Sequence, residues 1–292
     1  VATAYRKIIQ TGRLAEKLGA QMLGLGAYTS VVGDAGLTIA RELRVPVTTG
    51  DAFTISIAVQ AVGAAAEAMG IPLGEASAAI VGATGAIGRV CAELLAGQVA
   101  SLLLIARDEY KLAELCERIQ PRAKARVCVS TDMAALESSE LILTVTSAVH
   151  DVIRPEHLRS GSVVCDVARP RDVSAMVAAA RDDILVIDGG MVDVPGSVDF
   201  HFNFGFPPGK AYACMAETMI LTLEGRFEDY TVGKEIALER VNEITEMAGK
   251  HGFHLSGFRS FEREVPAEQI EIVRHNAEKR RSVHRSGTPG RR

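Results

Sequence analysis

The run Gly82-Ala-Thr-Gly85-Ala-Ile-Gly88 has the residue types and spacing that hold a pyrophosphate. One glycine permits a tight turn, another lets backbone N–H groups approach the diphosphate, and the third lets the following helix pack closely on the preceding strand. The candidate cradle is Gly82, Thr84, Gly85, Ala86, Ile87 and Gly88; a glycine turn needed only for packing is the competing reading. Further on, Ala106-Arg107-Asp108 stands where a second strand would end. An acidic residue there accepts from a ribose 2′-hydroxyl, whereas an arginine pairs with a 2′-phosphate. Arg107 therefore favours NADPH, with Asp108 as a ribose ligand being the alternative. Thr146 and Ser147 follow a later strand, at the level where a nicotinamide ribose commonly rests.

Cysteines stand at 91, 116, 128, 165 and 214, and four of them fall within or beside the apolar elements of the nucleotide region, where buried cysteine is a small hydrophobe. Cys214 differs. It follows Phe206-Pro-Pro-Gly209-Lys210 and lies in the first two turns of a helix, where unpaired N–H groups and the helix dipole stabilise a thiolate. Lys210 lies about one turn away and adds positive charge. Glu217, at i+3, shares the helix face and is a candidate for proton transfer or for orienting the site, although a carboxylate so close opposes thiolate formation. The alternative is that Cys214 is one more packed core residue. A nicotinamide site and a nucleophilic cysteine together define a chemistry: the thiolate attacks an acyl donor, the resulting thioester accepts hydride, and an aldehyde leaves.

The elements that must position these groups follow from apolar patterning. Six short apolar runs, Ala79–Val81, Ser101–Ala106, Arg126–Val129, Leu141–Val145, Ser162–Cys165 and Ile184–Ile187, alternate with helical segments such as Ile87–Leu95 and Lys111–Ile119. Runs apolar on both faces belong to a parallel sheet covered by helices, so the fold class is α/β with a doubly wound, Rossmann-type domain. The boundaries are drawn at 1–74 for the N-terminal part of a catalytic lobe, 75–192 for the NADP-binding domain, 193–273 for C-terminal helices that carry the cysteine and complete that lobe, and 274–292 for a basic, disordered tail. Within the lobe the sequence predicts a strand at Met22–Gly26 and helices near Ser56–Met69, Ala211–Leu223 and Lys234–Ala248, each helix closed by a glycine.

With 292 residues, 48% hydrophobic and 23% charged, the chain is long enough for one large or two intimate domains and is not disordered in bulk. A net charge of −4 gives no electrostatic reason to expect nucleic acid. Five cysteines with no CxxC pair fit neither a zinc knuckle nor a disulfide framework and place the chain in a reducing cytoplasm. The apolar stretch Ala52–Ala66 falls short of the roughly 18–20 residues of a membrane span. His150, His201, His251 and His254 have no convincing acidic partner in sequence, and no metal site is assigned. The chain opens at Val1 without a methionine, as a trimmed product or fragment does.

Leu25-Gly-Ala-Tyr-Thr-Ser30, Thr48-Thr-Gly50, Val81-Gly-Ala-Thr-Gly-Ala-Ile-Gly88, Ala106-Arg107 and Ala213-Cys-Met-Ala-Glu-Thr-Met219 with Leu223-Glu-Gly225 occur in this order. Together they resemble the long-chain acyl-[acyl-carrier-protein] reductases of cyanobacteria, over roughly residues 1 to 255. The resemblance implies reduction of a fatty acyl thioester, on acyl-carrier protein or coenzyme A, to a fatty aldehyde through an acyl-cysteine at Cys214, with NADPH as reductant and a downstream aldehyde-consuming enzyme as a partner. It also implies that Thr29, Ser30, Thr49 and Gly50 face the substrate; ordinary turn and cap chemistry is the other reading of those four. The stretch Val31–Gly36 and the basic tail depart from the family pattern, which leaves room for another acyl or carbonyl substrate. Two further functions compete: a shikimate- or amino-acid-type dehydrogenase working through a Lys–Asp pair without covalent catalysis, and a non-catalytic NADPH-binding module.

Overall fold

The computed structural model describes residues 1–26, 29–30, 32–148, 150–203, 205 and 207–286, with side chains to 282. It divides into two compact units, residues 1–57 with 190–256 and residues 58–189 with 257–292. In chain order the first unit opens with α1 (Ala2–Lys17), β1 (Leu23–Gly24), α2 (Leu37–Glu42), β2 (Val47–Thr48) and α3 (Asp51–Ala68), inside which the division falls. The second unit continues with β3 (Ser77–Val81), α4 (Ala86–Ala96), β4 (Ser101–Ile105), α5 (Glu109–Ile119), β5 (Arg126–Ser130), β6 (Leu141–Thr144), β7 (Val163–Asp166), α6 (Ala175–Ala180) and β8 (Leu185–Asp188). The chain returns to the first unit for β9 (Met191–Asp193), β10 (Lys210–Tyr212), α7 (Ala213–Leu223), α8 (Leu238–His251) and β11 (His254–Leu255). It finishes in the second with β12 (Arg259–Ser260), β13 (Arg263–Glu264) and α9 (Ala267–Ser286).

In the second unit six parallel strands lie in the order β5-β4-β3-β6-β7-β8. The strands read as unbroken apolar runs because both faces are covered: all of β6 and β7 is buried, as is β3 from Ala78 onward. One face packs Val81, Ile142 and Val164 against Leu136, Ile153 and Val177. The chain leaves β3 to one side through β4 and β5 and resumes on the other side at β6. The switch point of this Rossmann-type sheet is therefore the crevice at the C-terminal ends of β3 and β6, where open α/β sheets take their ligands.

The first unit holds a parallel pair, β1 with β2, and an antiparallel sheet in the order β10-β9-β11. Leu25, Ile39, Leu43 and Val47 form its small core, with Tyr5, Ile8 and Ile9 of α1 packed against them. Among the described residues no helix is long and apolar enough to cross a membrane.

Two expectations differ from what is observed. Residues 58–74 and 257–273 belong to the second unit. Residues 274–286 are helical, although a disordered tail was expected from 274; 287–292 lie outside the described residues. The charge of α9 hides a stripe, Ile270, Val273 and Ala277, that is buried on one face, and Arg280 and Asn276 both donate to Asp182 of the same unit.

Candidate active site

The glycine turn lies in the second unit, where the N–H groups of Gly82 and Ala83 donate to the Ile105 carbonyl at the end of β4 and so hold the turn in place. Gly82 has φ +84°, and a Cβ there would lie 2.8 Å from the Val145 oxygen and 3.2 Å from Thr146 Cγ2. Only glycine lets the turn pass so near the loop after β6. A Cβ on Gly88 would sit 2.3 Å from the Gly82 oxygen, so the first turn of α4 packs on the glycine turn itself. Gly85 is exposed and opens α4, whose first N–H groups, those of Ala86, Ile87 and Gly88, have no acceptor within the helix. A cradle bared of side chains and faced by a helix N-terminus fits a dinucleotide pyrophosphate.

At the end of β4, Arg107 is exposed. Asp108 caps α5: its carboxylate accepts from the Lys111 N–H at 3.1 Å and pairs with the Lys111 ammonium at 3.3 Å. These bonds hold its carboxyl below the usual carboxylate range and occupy the acid that would otherwise take a ribose hydroxyl. Ser147 is exposed in the loop after β6, whereas the Thr146 hydroxyl donates to Asp172.

The candidate nucleophile lies in the first unit. Cys214 is the second residue of α7 and is half-buried. Three glycines let β1, the start of α3 and α7 approach one another. A Cβ on Gly24 would lie 2.2 Å from Thr218 Oγ1; one on Gly26 would lie 3.8 Å from Cys214 Sγ; and one on Gly50, φ +78°, would lie 2.2 Å from Cys214 Cα. The sulfur thus faces backbone stripped of side chains. Lys210 is engaged elsewhere, its Nζ donating to Asp193 at 2.7 Å and to Ser256 at 2.5 Å. Burial drives the Cys91 thiol up to about 12 and raises Cys165 as well, so those two have the chemistry of packed hydrophobes.

Glu217 is fully buried. Its Oε1 accepts from the hydroxyls of Thr48 and, at 2.6 Å, Thr231, and its Oε2 accepts from the Phe53 N–H at 2.8 Å. One carboxyl therefore ties α7 to β2, to the first turn of α3 and to the connection between α7 and α8 at Thr231. Burial raises its pKa against the pull of those donors. Asp51, next to Gly50, is pushed up to about 7 by burial and by the charge of Glu217.

The hydroxyls of Thr29 and Thr49, expected at the substrate, bond main-chain carbonyls: Thr29 Oγ1 donates to Gly26 at 2.8 Å and Thr49 Oγ1 to the distant Thr231 at 2.5 Å. Ser30 is buried, and Gly50 makes the close approach to Cys214. Ala27 and Tyr28, within the Leu25–Ser30 run, lie outside the described residues. His251 bonds Glu224 at 2.9 Å. Sequence reasoning missed Thr48, Thr231 and Asp51. Thr231 stands 183 residues from Thr48, a separation no local pattern can bridge, but Asp51 adjoins Gly50 and its proximity was there to be read.

A model of the shikimate / quinate 5-dehydrogenase family matches residues 64–188, which span the parallel sheet. The chain is 34% identical over 256 residues to the aminotransferase PigE of a Serratia species, a match covering 86% of this chain and 30% of that protein, so the chain spans less than a third of that relative. It is 31% identical over 266 residues to the long-chain acyl-[acyl-carrier-protein] reductase of Synechococcus elongatus, covering 86% of this chain and 76% of the relative. Among solved structures, L-tryptophan dehydrogenase from Nostoc punctiforme aligns with 97% of this chain and 74% of its own at 15% identity, with a TM-score of 0.43.

Proposed function

This chain belongs to the long-chain acyl-[acyl-carrier-protein] reductase family, an oxidoreductase family, and carries an NAD(P)-binding domain; from that premise we propose that it reduces an acyl thioester to an aldehyde through Cys214, using NADPH. The observation that carries the reading is the setting of Cys214 at the start of α7, its sulfur over Gly26 and its backbone flush against Gly50. The N–H groups of the first helical turn and the helix dipole favour the thiolate. Gly26 sets no side chain against the sulfur, and the close approach at Gly50 fixes the backbone that carries it.

In the first half-reaction Cys214 Sγ attacks the acyl carbonyl carbon. The Sγ–C bond forms, the donor's C–S bond breaks, and the departing thiolate of the carrier protein or coenzyme A takes one proton from solvent. In the second, the thioester carbon receives a hydride and the Sγ–C bond breaks, which frees the aldehyde and returns the Cys214 thiolate. NADPH held at the glycine turn of residues 82–88 would supply that hydride. Glu217 orients α7 through its three donors; with no exposed atom, it acts on the position of Cys214. Gly82, Gly85 and Gly88 seat the pyrophosphate, and Arg107 supports NADPH over NADH because the competing Asp108 is bonded to its own helix.

Chain length and carrier are read as long-chain and acyl-carrier protein or coenzyme A by family likeness. The test is aldehyde formation from a long-chain acyl-carrier-protein substrate with NADPH: Cys214→Ala abolishes it while NADPH still binds. Aldehyde formation by Cys214→Ala at the wild-type rate would instead favour a dehydrogenase-like mechanism without covalent catalysis.

A further inference from the structure

We propose that Asp172 is a positioning residue for the nicotinamide half of the dinucleotide, acting through Thr146 to fix the loop after β6 against the glycine turn at Gly82. The proposal rests on dinucleotide binding by the second unit and not on the role of Cys214. Its basis is a pair of buried carboxylates at the C-terminal ends of β6 and β7. Asp166, the last residue of β7, accepts from the N–H groups of Ala168 at 3.0 Å, Asp172 at 2.9 Å and Val173 at 3.0 Å, which folds residues 168–173 back across the strand ends.

That fold brings Asp172, fully buried, to the end of β6. Its Oδ2 accepts from the Thr144 hydroxyl at 2.5 Å and from the Thr146 N–H at 2.9 Å, and its Oδ1 accepts from the Thr146 hydroxyl. Thr146 Oγ1 in turn accepts from the Ala148 N–H at 3.1 Å. The main-chain oxygen of Asp172 accepts from the N–H groups of Val152 at 2.9 Å and Ile153 at 3.1 Å. A single residue therefore clamps the loop between β6 and Ile153 at both of its ends.

The placement of this clamp is what points to a ligand. The loop it holds lies at the switch point of the sheet, and the Val145 oxygen and Thr146 Cγ2 are the atoms nearest the bare face of Gly82. Among the described residues of the loop, Ser147 and His150 are exposed. Burying a carboxylate is costly unless donors surround it. Here one donor, the Thr144 hydroxyl, sits at the buried end of β6 and the other two, the Thr146 N–H and hydroxyl, belong to the half-buried start of the following loop, so the carboxylate ties that loop to the sheet. Burial pushes the Asp166 carboxyl up to about 7, against the pull of the N–H groups it accepts from.

The test uses the full chain and three proteins: wild type, Asp172→Ala and Asp172→Asn. Each is titrated by fluorescence with NADPH and, by calorimetry, with 2′,5′-ADP, which carries the adenosine phosphates and lacks the nicotinamide half. Asp172→Ala is expected to weaken NADPH by about tenfold or more, the scale of losing several hydrogen bonds to a charged group, and to leave 2′,5′-ADP within about threefold. Asp172→Asn keeps an acceptor for Thr146 and is expected to stay within about threefold for both. Equal weakening of both ligands would show general loosening and overturn the proposal, as would unchanged NADPH affinity in a folded Asp172→Ala. Should Asp172→Ala fail to fold, Thr146→Val decides. It keeps the shape and removes the hydroxyl, and a several-fold loss for NADPH alone supports the proposal while no loss overturns it. Failure of the wild type to bind either ligand would sink the dinucleotide reading and this inference with it.

Discussion

A methyl group added at Gly50 meets the backbone of Cys214: the new Cβ would lie 2.2 Å from Cα, 2.4 Å from the carbonyl oxygen and 2.5 Å from Cβ. Ordinary carbon contacts begin near 3.5 Å, so the first turn of α7 has to retreat by about 1 Å. The backbone resists as well, because Gly50 sits at φ +78° and a left-handed alanine costs about 1–2 kcal/mol. Overpacking adds about 1–3 kcal/mol, for a total of roughly 2–5 kcal/mol in Gly50→Ala. A displacement of about 1 Å at a reacting group is worth about 100-fold in rate. The assay is the rate of acyl-enzyme formation, read by intact mass under conditions where circular dichroism shows the variant folded, with NADPH affinity measured alongside. Acylation is expected to slow by about 100-fold, with NADPH affinity unchanged within about twofold. Acylation within about threefold of wild type would refute the claim that Gly50 sets the position of the cysteine.

Two other perturbations test separate parts of the account. Arg107→Ala removes a charge-assisted contact worth about 1.5–3 kcal/mol, so NADPH affinity is expected to fall by about 10- to 100-fold while NADH changes by less than about threefold; equal effects on both would return the ribose to Asp108. Asp51 is raised to about 7, so the folded state prefers it protonated; the stability it contributes is intact below the unfolded carboxyl value near 4 and is lost as pH climbs from there to about 7. Thermal unfolding followed from pH 5 to pH 8 should therefore show wild type losing more stability than Asp51→Asn across that interval, and parallel curves would contradict the assignment.

The nucleotide domain was legible because parallel strands buried on both faces appear as unbroken apolar runs. Leu141–Val145 was expected and Leu141–Thr144 is observed; Arg126–Val129 was expected and Arg126–Ser130 is observed. The glycine turn and α4 were legible for the same reason, each glycine answering a local steric demand. Less was legible in the first unit. β1 and β2 are two residues each, too short for a pattern, and Glu217 is bonded to hydroxyls 14 and 169 positions away from it. Glu217 could be placed on the face of Cys214 from its i+3 spacing, but not its full burial or its donors. The same limit hid Asp172, whose partners Thr144 and Thr146 lie 28 and 26 residues away and whose own surroundings, Arg-Pro-Arg on one side, read as a loop. α9 was concealed by charge: composition dominated where three buried positions at helical spacing carry the element.

The central claim is that Cys214 carries the acyl group. The measurement that addresses it most directly is intact-protein mass spectrometry of wild type and Cys214→Ala after incubation with a long-chain acyl-carrier-protein or acyl-coenzyme A, first without NADPH and then with it. The account predicts a gain of one acyl mass in wild type alone, followed by loss of that mass and release of aldehyde when NADPH is added. A wild type that turns over acyl donor with no adduct, or an adduct of equal yield in Cys214→Ala, would contradict it.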